Sequence, residues 1–146
     1  MAIDFAVLKN ELLTDPAALG YATPIADGSM STLAGLINAI RVGPTYAIWR
    51  GLIEGREVVQ AIDPTEFVTF TQLQIMRLML ICSATGGLDS GSAQVRTLVT
   101  EAMPSGSTIS RAAMVAMAKR QGSRAEVVFG PGIVLTSDEL ITALRS

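Results

Sequence analysis

Asp63-Pro64-Thr65-Glu66 runs without interruption into Phe67-Val-Thr-Phe70-Thr-Gln-Leu73-Gln-Ile75-Met76-Arg77-Leu78-Met79-Leu80-Ile81-Cys82, and this stretch sets the fold class. Asp63 suits a helix N-cap, Pro64 the first helical position, and Glu66 the third, from which its carboxylate reaches back to the cap amide. A helix over about 64–83 is predicted to follow, carrying Phe67, Phe70, Leu73, Met76 and Leu80, with Ile75, Leu78, Met79 and Ile81 on its other faces. Its second half is apolar on most sides, which predicts a buried central helix. Arg77 interrupts that surface, either as a snorkelling side chain or as half of an ion pair between subunits.

The same helical period extends outward in both directions. Leu33, Leu36, Ile37 and Ile40 fall at i, i+3, i+4 and i+7, with Ser29 or Ser31 as cap and Gly43-Pro44 as terminator. Pro44 is read as opening another helix that carries Tyr46, Ile48, Trp49, Leu52 and Ile53, weakened by Gly51 and Gly55. At the start of the chain, Phe5, Leu8 and Leu12 form one stripe of a short helix that ends at Asp15-Pro16. Gly20 then offers a position for positive φ, and Tyr21 an amphipathic anchor. Downstream, Ser83 to Ser92 reads as a flexible connection, followed by a helix with Val95, Leu98, Val99 and Ala102 on one side. A helix over 108–121 presents Ile109, Ala112, Ala113, Ala116 and Met117 for close approach, with Gly122 just past its end. Ser123-Arg-Ala-Glu126 is a capping-box pattern opening a short turn, and Pro131 to Leu135 reads as a short edge strand. Thr136-Ser137-Asp138-Glu139 starts a final helix with Leu140, Ile141 and Leu144 facing inward. The expected architecture is mostly α: a compact single domain over 1–146, a bundle of about six to seven short helices with little or no sheet.

Composition narrows the function classes. The 146 residues are 49% hydrophobic but only 16% charged, against roughly 25% charged in ordinary soluble domains. So few charges cover a monomer's surface poorly, which points to apolar area buried against other copies or other proteins; neutral Ala, Gly, Ser and Thr are the alternative cover. A net charge of −2 gives no support for wholesale nucleic-acid binding. The apolar run Leu78 to Cys82 is far short of the roughly 20 residues that cross a bilayer. The start of the chain lacks a basic segment followed by an apolar run, so synthesis in the cytoplasm without a signal peptide is expected.

Catalytic constellations are scarce. The chain has no histidine and one cysteine, Cys82, which removes Ser-His-Asp and Cys-His mechanisms, histidine-containing zinc sites and thiolate clusters. Glu54/Glu57 and Asp138/Glu139 read as solvated helix surface or caps, and Asp63/Glu66 as capping. Gly86-Gly87-Leu-Asp-Ser-Gly91-Ser lacks the Gly-Lys-Ser/Thr ending of a phosphate loop. No enzyme activity, metal or cofactor is expected. Trp49 and Tyr46 are either core or interface anchors, as aromatic residues concentrate at interface hot spots; with Tyr21 and Arg77 they are the candidate contact residues. Arg111, Lys119, Arg120 and Arg124 lie within one short segment. They either complement a helix C-terminus and nearby acids, or hold DNA phosphates beside a Ser-rich helix start; no second helix of recognition length follows Gly122, so DNA contact is not favoured.

Both ends of the chain resemble a known group. Leu13-Thr-Asp-Pro-Ala-Ala-Leu-Gly-Tyr-Ala22, followed after a spacer by Leu33-Ala-Gly-Leu-Ile-Asn38, is similar to the start of small proteins from the virion-structure modules of tailed bacteriophages. Those commonly read helix, Asp-Pro, Leu-Gly-(x)-Gly-Tyr-Ala, spacer, Leu-x-x-Leu-Asn. Ser123-Arg-Ala-Glu126, Phe129-Gly130 and Val134-Leu-Thr-x-Asp138-Glu-Leu140 resemble the ending of the same group, although Gly130-Pro131-Gly132 departs from its usual form. The resemblance implies a non-enzymatic virion structural protein, foremost a head-to-tail connector or neck subunit of adaptor type that forms a ring. Capsid decoration or a minor tail role is the alternative within that class, and a small DNA-binding or packaging module using the basic 111–124 segment is the alternative outside it. Implied partners are other copies of the chain and the portal, tail or capsid proteins, with no membrane, and the implied location is the virion.

Overall fold

The computed structural model describes residues 2–83 and 86–146. In chain order the elements are α1 (Phe5–Thr14), α2 (Ala22–Asp27), α3 (Met30–Asn38), a 3-10 turn (Pro44–Tyr46), β1 (Ala47–Trp49), β2 (Leu52–Ile53), α4 (Gly55–Ala61) and α5 (Pro64–Phe67). They continue with α6 (Gln72–Cys82), β3 (Leu88–Asp89), α7 (Ala93–Glu101), α8 (Thr108–Ala118), β4 (Lys119–Gln121), α9 (Arg124–Phe129) and α10 (Ser137–Arg145). The chain is mostly helical, as its periodicity predicts. The ten α-helices among the described residues exceed the expected six to seven, because capping residues cut several apolar runs into shorter pieces. Some sheet is present as well, in two two-stranded ladders, β1–β4 and β2–β3. The chain divides into unit 1 (Met1–Ala47 with Gln121–Ser146) and unit 2 (Ile48–Arg120). It leaves unit 1 within β1 and returns within β4.

Unit 1 is built on Leu8, Leu12, Tyr21, Leu33, Ile37, Leu135 and Leu140, all essentially solvent-free. Asp4 caps α1 by accepting from the Ala6 and Val7 amides, and the Leu8/Leu12 stripe faces the core. Pro16 bars Asp15 from helical geometry, and Asp15 ends the helix in the left-handed region at φ 40°. Its carboxylate then accepts from the amides of Leu19 (2.7 Å), Gly20 (2.7 Å) and Tyr21 (3.3 Å). Gly20 takes the expected positive φ, 85°. The spacer that follows contains a helix, α2, that the sequence does not announce. Helix α3 ends at Asn38, one turn short of Gly43-Pro44, so Ile40 leaves the predicted stripe and is exposed. The segment expected as an edge strand is not one. Instead the Asn38 side chain acts as a strand partner for Leu135, donating from Nδ2 to its carbonyl (2.7 Å) and accepting its amide at Oδ1 (2.9 Å). Ser123 and Glu126, and Thr136 and Glu139, form the capping boxes that start α9 and α10.

The chain from Pro44 onward, most of it unit 2, departs further from expectation. The helix predicted from Pro44 is a 3-10 turn followed by β1 and β2, with Gly51 turning between them at φ 85°. Strand β2 pairs antiparallel with β3, Leu52 opposite Asp89 and Ile53 opposite Leu88. The tail of the segment read as a flexible connection is therefore held, and Leu88 and Ser90 are buried; Ala84 and Thr85 of that segment lie outside the described residues. Gly55 opens α4 against the end of α6, where a Cβ would lie 2.1 Å from the Cys82 carbonyl oxygen. The predicted 64–83 helix is two helices. Asp63 caps α5 as expected, but the chain turns after Phe67, and Thr71 with Gln74 forms a new capping box for α6. Helix α8 stops at Ala118 because Lys119 becomes extended, so Gly122 is not a helix C′ residue. The face of α8 that packs carries Ser110, Met114 and Ala118, while Ile109, Ala112 and Ala116 of the expected close-approach stripe are exposed.

Arg124 is fixed in unit 1 by a bidentate pair with the buried Glu11, Nε to Oε1 at 2.7 Å and Nη2 to Oε2 at 2.8 Å. Removing one partner leaves an uncompensated buried charge, so Arg124→Met is expected to destabilise the fold by about 3–5 kcal/mol. The double variant Glu11→Leu/Arg124→Met should recover most of that loss in urea unfolding; equal losses in the single and double variants would show that the pairing is not what matters.

Candidate interaction surface

The most unusual surface in the described chain belongs to α6 of unit 2. Leu78 is buried, and Ile75, Ile81 and Cys82 pack beside it on the unit 2 core. The expectation that this helix is buried on most sides fails on the opposite face. Leu73, Met76, Met79 and Leu80 are between 53% and 72% exposed. At 3.6 residues per turn these four cover about a third of the helix circumference. Val68, just before the helix, is 81% exposed. The only charge from Val68 to Ser83 is Arg77, which is itself exposed. The result is an uncharged, methionine-containing face on a helix whose other side is anchored. Such a face can adapt its shape to a partner because methionine is unbranched and polarizable.

Helix α5, just before α6, is anchored through a carboxylate whose role differs from the predicted one. Glu66 does not reach back to its own cap. It accepts from the amides of Ile109 (2.9 Å) and Ser110 (2.7 Å), in the first turn of α8. It thereby does what Ser107, at the N-cap position, does not, since the Ser107 side chain makes no capping bond. The Ser110 hydroxyl oxygen accepts from the Asp63 amide (2.9 Å), closing a network between the start of α5 and the start of α8. Desolvation raises the Glu66 pKa, but the donors from Ser110 and Ile109 outweigh it and hold the carboxyl below the ordinary glutamate value of 4.5.

The candidate contact residues separate. Tyr21 is fully buried in unit 1, its ring drawn inside where Asp15 gathers the backbone at Leu19 to Tyr21, so it presents nothing to a partner. Burial, and then the charges of Glu11 and Asp15, push its hydroxyl pKa up. Tyr46 and Trp49 do not share a helical turn: Tyr46 closes the 3-10 turn and its carbonyl accepts from Gly122, while Trp49 ends β1. The Trp49 ring carries the Arg96 guanidinium at 4.2 Å and the Lys119 ammonium at 4.7 Å from its centroid. Arg77 stands beside the exposed α6 face.

The basic segment is dispersed. Arg111 donates from Nη2 to the carbonyls of Thr100 and Met103 at the end of α7, Lys119 lies over Trp49, and Arg124 is bonded to Glu11. Arg120 is also engaged by a partner. Arg111 and Lys119 with Arg120 belong to unit 2, and Arg124 to unit 1. No group of histidine, cysteine and acidic side chains among the described residues is arranged to hold a metal ion, and no described helix is long and apolar enough to cross a membrane. No family model, curated protein or solved structure matches the chain.

A carboxyl with a depressed folded pKa stabilises above its unfolded pKa and loses that contribution as pH falls through the folded value. Glu66→Gln is therefore expected to lower the melting temperature at pH 7, with the gap to wild type closing as pH drops below 4.5. A gap that stays constant across that range would show that the charge of Glu66 is not what caps α8.

Proposed function

We propose that this protein is a non-enzymatic structural subunit of a tailed-bacteriophage virion, acting as one copy in a ring at the head-to-tail connection. The observation that carries the assembly part is the exposed face of α6: Leu73, Met76, Met79 and Leu80 beside a single charge. With Val68 and Phe67 it offers several hundred Å2 of apolar surface, at or above the roughly 300–600 Å2 of a typical monomer's largest patch. That is also the order of the roughly 800 Å2 per partner of a standard interface. Closed symmetric arrays cover such faces repeatedly, and the low charge content is of a piece with that. The phage assignment rests on the resemblance of Leu13–Ala22, Leu33–Asn38 and Ser123–Leu140. Capsid decoration or a minor tail position would use the same face on a different neighbour. The basic residues give the DNA-binding alternative little support, since Arg124 is neutralised by the buried Glu11 and the segment does not form one continuous basic helix.

Light scattering across protein concentrations, at two salt concentrations and with or without duplex DNA, tests the reading. The expected result is a defined multiple of the 15.4 kDa chain mass that ignores DNA. Met76→Glu or Leu80→Glu should return the protein to monomer with the melting temperature nearly unchanged, because both side chains are exposed in the single chain. A monomer at every concentration, or a salt-sensitive complex with DNA, would overturn it.

A further inference from the structure

Unit 2 contains a cleft of about 150 Å3 between α7 and α8, with Val58, Val99 and Met114 buried in its walls. Trp49 lines one side, and the half-buried Arg96 and Arg111 line it too. No aspartate or glutamate lines it. Arg96 donates from Nη1 to the carbonyls of Ser90 (2.7 Å) and Gly91 (2.8 Å), and Arg111 from Nη2 to those of Thr100 and Met103, both at 3.1 Å. Ser90 and Gly91 precede α7 whereas Thr100 and Met103 lie at its C-terminal end, so the two guanidiniums stand at opposite ends of the helix. Both are therefore held by neutral oxygens, and neither is paired with a carboxylate among the described residues. Lys119, over the Trp49 ring, adds a third cation nearby. Arg111 is not fully satisfied by the fold, since its Nε is buried without a hydrogen-bond partner.

An apolar hollow edged by uncompensated cations has a definite complement. We infer that this cleft is a binding site for a small amphiphilic anion, a carboxylate with an apolar body of about six carbons, the size that a cavity of about 150 Å3 accepts. The body lies against Val58, Val99 and Met114, and the carboxylate is held by the Arg111 guanidinium at the C-terminal end of α7, since guanidiniums bind carboxylates through charge-assisted hydrogen bonds. The site is separate from the exposed face of α6 and does not depend on the assembly reading.

Trp49 is the only tryptophan and lies in the cleft wall, so its fluorescence reports occupancy directly. Titration of the full chain with hexanoate should give a saturable change, with 1-hexanol and acetate each binding at least about tenfold more weakly because each lacks one half of the complement. Arg111→Met should weaken hexanoate by about tenfold, and Val99→Phe, which fills the hollow, should abolish the response. The three-ligand comparison on the wild-type protein decides even where a variant folds poorly. No saturable response to hexanoate overturns the inference. So does equal binding of hexanol, which would mark a merely apolar hollow, or of acetate, which would mark a merely cationic surface.

Discussion

No described helix of this protein exceeds 11 residues, and isolated helices shorter than about 12–15 residues are marginal in water. Most of the described helices therefore depend on a cap at the start, a buried face along the side, or both. Asp4, Asp63, Thr71, Ser92, Ser123 and Thr136 each satisfy first-turn amides from their own N-cap positions. Where the local cap fails, as at Ser107, a carboxylate from another helix takes over: Glu66 closes the start of α8 and in doing so ties α5 to it. Unit 1 uses the same device in Asp15, whose carboxylate gathers three loop amides and turns Tyr21 into the core. Few charges are present, and the acidic ones that matter most are occupied inside the fold.

This economy leaves α6 with two apolar sides and a core that can cover only one. Leu78 and its neighbours are enclosed by unit 2, while Leu73, Met76, Met79 and Leu80 are not. In water the uncovered side is costly at about 25 cal/mol per Å2 of apolar area, and this cost is the physical ground of the proposed assembly role. The cleft beside Trp49 differs in kind: it is concave, small and edged by guanidiniums, and so suits a ligand rather than a flat partner surface.

How much of this was legible in the sequence follows from where each determinant lies. Caps that act within four residues were readable: Asp63 and Thr136 start helices where expected, and the Ser123 box, read as opening a short turn, starts α9. Thr71 and Gln74 form an equally local box, but Phe67, Phe70 and Leu73 carry the i, i+3 spacing straight across it, and the break was hidden by the period. Between Tyr46 and Ile53 the apolar spacing fits a helix or short strands alike, and Gly51 in the left-handed region settled it as strands. Glu66 could not be assigned, because its acceptors' partners lie 43 and 44 residues away. Nor does apolar composition say which chain covers a surface, which is why α6 read as central. Tyr21 read as an anchor for a partner because nothing in its neighbours reveals that Asp15 folds the segment inward.

The most direct test of the α6 face as an assembly surface is methionine oxidation read by mass spectrometry across a concentration series. Met76 and Met79 are exposed in the single chain, while Met103 and Met114 are buried in it and serve as internal references. If α6 is the interface, Met76 and Met79 oxidise readily in dilute protein and become protected in step with the rise in mass, with Met103 and Met114 unchanged. Oxidation of Met76 and Met79 that stays the same while the mass rises, or protection that appears elsewhere instead, would contradict it.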